Sequence, residues 1–170
     1  MKSNVILVGM SGAGKSTLGV LLAKALGKHF TDTDIIIQQQ TGMLLQEYLD
    51  AHGTAAFLKV EEDTVSSLSL TDHVIATGGS VIYSQKAMEH LRRDGVVVYL
   101  DLPYEEIVSR LGNITTRGIV FRDRNDLRSV YEERLPLYRQ YADVTVCPAG
   151  HGIERSLEEI LKKLLKGATL

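Results

Sequence analysis

Residues 9–16 read Gly9-Met10-Ser11-Gly12-Ala13-Gly14-Lys15-Ser16, a glycine-rich loop closed by a lysine and a serine. Glycines at these positions let backbone N–H groups approach anionic oxygens that a side chain would block, and the lysine adds a positive charge. A helix opening here turns its N-terminal dipole toward the same anion, and the serine hydroxyl suits a Mg²⁺ ion. The flanks agree with a phosphate cradle. Ahead of the loop, Val5-Ile6-Leu7-Val8 is a short β-branched run suited to a buried parallel strand. Behind it, Leu18, Leu21, Leu22 and Ala25 keep helical spacing as far as Gly27, a good C-terminal stop. A glycine-rich turn without a ligand is the plainer reading, and the ordered strand, loop and helix weigh against it.

The 170-residue chain, 44% hydrophobic, fits one domain with a sizeable core. Nineteen basic and 21 acidic side chains leave a net charge of −2, so no overall basic field argues for nucleic acid or an anionic membrane. A small-molecule partner is expected. The single cysteine, Cys147, excludes an internal disulfide. The apolar run near the N-terminus is too short for a signal peptide, and no stretch approaches the roughly 18–20 apolar residues of a membrane span. A cytoplasmic monomer is the expectation.

Five short apolar runs, at 4–9, 29–33, 73–77, 96–101 and 143–147, alternate with helical patterns, which is the grammar of a parallel α/β sheet. The fourth, bounded by Gly95 and Pro103, is almost wholly apolar and should be buried on both faces. Phe57, Val60, Glu61, Thr64, Val65 and Leu68 fall on one helical stripe, and Leu157, Ile160, Leu161 and Leu164 on another. Both stripes read as core rather than binding surface. Residues 1–170 form one unit in this reading, with a substrate-binding insertion at about 34–62. A mobile lid is expected at about 112–124, where Gly112, Asn113, Thr115, Thr116, Arg117 and Gly118 gather.

The second informative stretch is Thr31-Asp32-Thr33-Asp34. If extended, it points both carboxylates to one face at the C-terminal edge of the sheet, where ligands bind in open α/β folds. Phosphoryl transfer to an alcohol needs a metal near the β and γ phosphates and a base or positioner at the acceptor hydroxyl. Asp32 is assigned to the Mg²⁺ shell with Ser16, and Asp34 to the hydroxyl; the competing role for Asp34 is to cap the following helix. Arg117 in the lid could swing onto the phosphates, and Arg134 could fix an acceptor carboxylate, although arginines as a type belong to solvated surface. Gly78-Gly79 would let backbone approach a ligand, or form an ordinary turn. The five histidines show no ligand spacing and carry no assignment.

Assembled in this order, the segments resemble the shikimate kinases, P-loop enzymes that transfer the ATP γ-phosphate to the 3-hydroxyl of shikimate. The resemblance covers nearly the whole chain. It rests on the residues 9–16, Asp32 and Asp34, the Ala56–Asp63 segment, Ala76–Ser80, Val96–Asp101, Arg110, Arg117, and Glu133–Tyr138. It implies ATP and Mg²⁺ as cofactors and a P-loop NTPase fold with a five-stranded parallel sheet of order 2-3-1-4-5. Gly12, Ala13, Gly14, Lys15, Ser16 and Thr17 would hold the nucleotide, with Arg110 stacked on the adenine. Lys15 and Arg117 would serve the phosphates, Ser16 and Asp32 the metal. Asp34, Phe57, Gly78, Gly79 and Arg134 would line the acceptor, Arg134 by its carboxylate.

Three departures stand out. The family's Phe-Arg pair, whose arginine grips the shikimate carboxylate, is Phe57-Leu58; its triple glycine is shortened to Gly78-Gly79; and its lid Arg-Pro-Leu-Leu is Arg117-Gly118-Ile119-Val120. A lost charged hydrogen bond of about 1.5–3 kcal/mol weakens binding roughly ten- to a hundredfold. Lys59 points about 100° away on a helix and lacks the bidentate fork. Three functions compete: phosphorylation of shikimate, phosphorylation of another small hydroxylated molecule, and ATP binding without transfer in a regulatory protein. A nucleoside or nucleotide kinase fits the 31–34 and 133–138 segments less simply.

Overall fold

The computed structural model describes residues 2–111, 127–150 and 152–166. Its centre is the apolar run that precedes the glycine loop. Strand β1 (Asn4–Val8) is buried along its whole length, with β3 (His73–Ala76) on one side and β4 (Gly95–Leu100) on the other. Ile6 lies opposite Ile75 and Val97, so β-branched side chains fill both neighbouring registers. β2 (His29–Asp32) pairs with β3 and β5 (Val144–Val146) with β4, all parallel, giving the order β2-β3-β1-β4-β5. The expected five-stranded order is therefore observed. Parallel pairing requires covering helices, because each crossover returns over a face of the sheet.

The helices are α1 (Lys15–Leu26), α2 (Thr33–Thr41), α3 (Leu45–Ser67), α4 (Gln85–Asp94), α5 (Tyr104–Leu111), α6 (Leu127–Tyr141) and α7 (Ile153–Lys166). α1 buries Leu18 and Leu22 and ends on Gly27, whose φ of +66° is a left-handed stop. Gly19 is what lets α1 lie close to the sheet: a Cβ there would meet Phe30 Cε2 at 2.6 Å and Leu7 Cδ1 at 3.3 Å. Gly19→Ala should destabilise the protein by roughly 1–3 kcal/mol, despite the better helix propensity of alanine. Urea denaturation checks this, and an unchanged midpoint would mean that Phe30 swings clear.

Several strand boundaries differ from the sequence reading. β2 stops at Asp32 because that residue caps α2, so Asp34 lies in a helical turn and not on an extended strand. Gly95 is the first residue of β4, paired with Asn4, rather than the stop before it. The segment 34–62 forms α2 and the first part of α3, which is interrupted at Gly53 with φ of +82°. Ile37, Leu45 and Phe57 make a small core of their own there, apart from the main one. That separate packing makes the insertion a distinct wall beside the sheet edge. The expected lid at 112–124 lies outside the described residues.

Candidate active site

Backbone geometry builds the phosphate loop. Gly12 and Gly14 take φ of +83° and +95°, and Gly14 is the N-cap of α1. Gly9 passes under the end of β4, where a Cβ would come within 2.9 Å of the Leu100 carbonyl oxygen. Lys15 is buried, and its Nζ donates to the carbonyls of Gly9 at 2.7 Å and Met10 at 2.9 Å. Ser16 Oγ donates to Asp32 Oδ2 at 2.6 Å, which closes the loop onto the end of β2. The other oxygen of Asp32 accepts from the backbone N–H of Asp34 at 3.0 Å. Asp32 is thus the cap of α2, and the competing role offered for Asp34 falls to it.

These groups face one cavity of about 210 Å³, lined among others by Lys15, Ser16, Asp32, Asp34, Thr77 and Gly79. Asp32 and Asp34 reach it together, although by a strand end and a helical first turn rather than by alternation along a strand. Thr77 is tied down by its hydroxyl, which donates to the Leu7 carbonyl at 2.8 Å, and Gly78 N–H donates to Thr33 Oγ1 at 3.3 Å. The glycine pair is required by its neighbours. A Cβ on Gly78 would run into Glu61 Oε1 and reach 2.9 Å from Asp34 Oδ1, and one on Gly79 would reach 2.9 Å from Arg134 Nη1. An ordinary turn would not demand this.

Arg134 is only 2% exposed, which overturns the expectation from residue type. Its Nε donates to the Tyr83 hydroxyl at 3.3 Å, and its guanidinium carbon lies 5.3 Å from that ring centroid. Tyr138 fixes the loop from the same helix by donating to the Gly79 carbonyl. The described partners of Arg134 are phenols rather than a carboxylate. A buried guanidinium in such a setting is suited to an anionic ligand.

Arg110 occupies the outer side of the loop. It donates to the carbonyls of Gly12 at 3.3 Å and Ala13 at 3.4 Å, and to Glu106 Oε1 at 2.6 Å. With Thr17, Pro148 and Ile153 it lines a second cavity of about 270 Å³. Phe57 does not line the main cavity. It lies behind it, 3% exposed, in contact with the cluster that contains Leu45, and Leu45 is the residue of that cluster that reaches the cavity. Arg117 lies outside the described residues. Lys59 borders the cavity beside Leu58, but its ammonium is paired with Asp63 at 2.7 Å and Glu62 at 3.5 Å on its own helix, so it does not replace the missing cation at position 58.

Glu61 and Ser80, which line a cavity beside this one, carry no assignment from the sequence. Glu61, read there as part of a core stripe, is 2% exposed and accepts a 2.6 Å hydrogen bond from Ser80 Oγ on Oε2. Burial pushes its carboxyl up to about 7, and Asp34 adds to the rise, while Ser80, Arg134 and Lys15 oppose it. The sequence signal for Glu61 is a lone carboxylate on a mostly apolar stripe. Ser80 gave none, because its meaning depends on which residue it faces.

A family model described as shikimate kinase matches residues 11–165. The shikimate kinase of Nostoc sp. (strain PCC 7120) is 37% identical over 166 residues, covering 96% of this chain and 89% of that protein. That of Thiobacillus denitrificans is also 37% identical, over 171 residues, with 98% and 93% covered. Among solved structures, the shikimate kinase from Acinetobacter baumannii in complex with shikimate has a TM-score of 0.92 at 31% identity, covering 100% of this chain and 97% of that one. The Aquifex aeolicus shikimate kinase gives 0.83 at 29% identity, with 98% of both chains covered. The glycine loop, the 2-3-1-4-5 sheet and these matches along nearly the full length agree, and the chain belongs to the shikimate kinase family.

Proposed function

We propose that the chain transfers the γ-phosphoryl group of ATP to a hydroxyl of shikimate or a close relative, with Mg²⁺. One observation carries this reading: Lys15, Ser16, Asp32 and Asp34 line a single cavity at the C-terminal edge of the sheet. The donor set fits the metal, since Ser16 and Asp32 offer hard oxygens 2.6 Å apart and Mg²⁺ prefers oxygen ligands. Once bound there, the metal would offset negative charge on the phosphates.

The chain's own residues do the remainder. The Gly12–Gly14 amides and Lys15 hold and orient phosphate oxygens, and Thr17 and Arg110 border the cavity suited to the base. Asp34 accepts the acceptor hydroxyl's proton, from the wall opposite the loop. Arg134 supplies the cation for an acceptor carboxylate, and Gly78 and Gly79 keep the floor open to both. Arg117 on the phosphates, within a closing lid at 112–124, completes the proposal by resemblance.

Leu58 favours a second reading, a different small hydroxylated acceptor, because the cation that the family resemblance places there is absent. Measuring ADP release with ATP, Mg²⁺ and shikimate tests the first reading. Turnover is expected with an acceptor KM raised roughly ten- to a hundredfold over that of an arginine-bearing relative. No turnover at millimolar shikimate removes shikimate as the acceptor, and silence across polyols and sugar acids removes the kinase reading itself.

A further inference from the structure

Two of the departures from the family pattern meet at one carboxylate. Leu58 and Glu61 are three residues apart on α3 and share a helical face. Both line a cavity of about 250 Å³ with Ser80 and Tyr83, and Tyr83 in turn accepts the hydrogen bond from Arg134. Ser80 stands where the family's third glycine would be, and its hydroxyl donates to Glu61 Oε2 at 2.6 Å. Glu61 Oε1 is buried and has no hydrogen-bond partner among the described residues. It flanks Gly78 together with Asp34 Oδ1. An arginine at 58 would lie on the same face as Glu61 and could supply its donors; a leucine supplies none, and a third glycine would have no hydroxyl to offer.

We propose that Leu58 and Ser80 are one coupled exchange, in which Ser80 is a positioning residue that holds Glu61 in place of the missing cation, leaving Glu61 Oε1 to bind a non-reacting hydroxyl of the acceptor. The second half rests on the acceptor site proposed above. A hydroxyl is the ligand group that suits Oε1 in either protonation state, since it donates to a carboxylate and accepts from a carboxylic acid. Both states matter near neutrality, given the raised Glu61 carboxyl. The charged groups facing it are Asp34 from α2, Lys15 from the loop and Arg134 from α6, with the Tyr138 phenol also close. A buried oxygen left without a donor is costly, so a ligand that supplies one binds better.

The full chain with ¹³C-labelled glutamate carboxyls provides the test, with Glu61→Gln identifying the resonance. Ser80→Ala should raise the Glu61 midpoint by about one unit or more, because it removes a hydrogen bond to the ionised form. Leu58→Arg should lower it, and in that background Ser80→Ala should shift it less than half as far. Leu58→Gln, which adds donors without charge, serves if arginine disturbs α3. In parallel, Ser80→Ala should raise the shikimate KM about 5- to 30-fold with little change in kcat, and the effect should shrink below about threefold beside Arg at 58. Shikimate should also move the Glu61 resonance. An unmoved midpoint in Ser80→Ala, or effects that simply add in the double variant, overturn the coupled exchange. A resonance indifferent to shikimate while ADP is released overturns the hydroxyl contact. Absence of ADP release overturns the acceptor reading, and that contact with it, while the titration still decides whether Ser80 holds Glu61.

Discussion

Asp34→Asn should lower kcat by about 10²–10⁴-fold while leaving ATP affinity within about twofold. Asparagine keeps the size and shape of the side chain but cannot take up a proton. The fold should not suffer, because α2 is capped by Asp32 rather than by Asp34. Single-turnover kinetics and calorimetric ATP binding separate the two quantities. If the variant kept more than about a tenth of wild-type kcat, Asp34 would be no more than an acidic residue in a helix's first turn. The same substitution removes one of the influences that raise the Glu61 carboxyl, after burial, so that group should titrate lower in the variant.

Lys15→Met should reduce kcat/KM by about 10²–10³-fold, with losses in both ATP binding and the chemical step. Methionine retains an unbranched apolar stem but no charge. The ammonium donates to the Gly9 and Met10 carbonyls, which fixes it at the loop. A positioned cation contributes more to the transition state than one that must be reorganised. Should the variant lose only thermal stability and keep its kcat/KM, the lysine would be a clamp for loop carbonyls and not a phosphate ligand.

How far the sequence revealed this depends on the kind of information each residue carries. Residues 5–8, the glycine loop and the stripe of α1 are local signals, each interpretable from neighbours within a turn or a strand, and the buried strand, the positive-φ loop and the helix all form where those signals put them. β2 was harder. Its last residue serves three contacts at once, in the sheet, to Ser16 and to α2, and only the third ends the strand at Asp32. Arg134 and Glu61 were harder still, since burial of a charged side chain is decided by residues far away in sequence. Nothing near Arg134 announces that Gly79 and Tyr83 will enclose it. Ser80 was illegible alone because a serine after two glycines reads as turn chemistry until Glu61 is seen opposite.

In the proposed site, the two oxygens of Asp32 would give the donor and acceptor halves a shared hinge. Oδ2 accepts from Ser16 at the start of α1, and Oδ1 accepts from the Asp34 N–H in the first turn of α2. Any occupant that draws Oδ2 away from Ser16 pulls on the origin of the wall that meets the acceptor. By thermodynamic reciprocity, whatever stiffens α2 feeds back equally on occupancy at the loop. The order in which the two ligands arrive would then be immaterial to the final free energy, but neither would bind as if the other were absent.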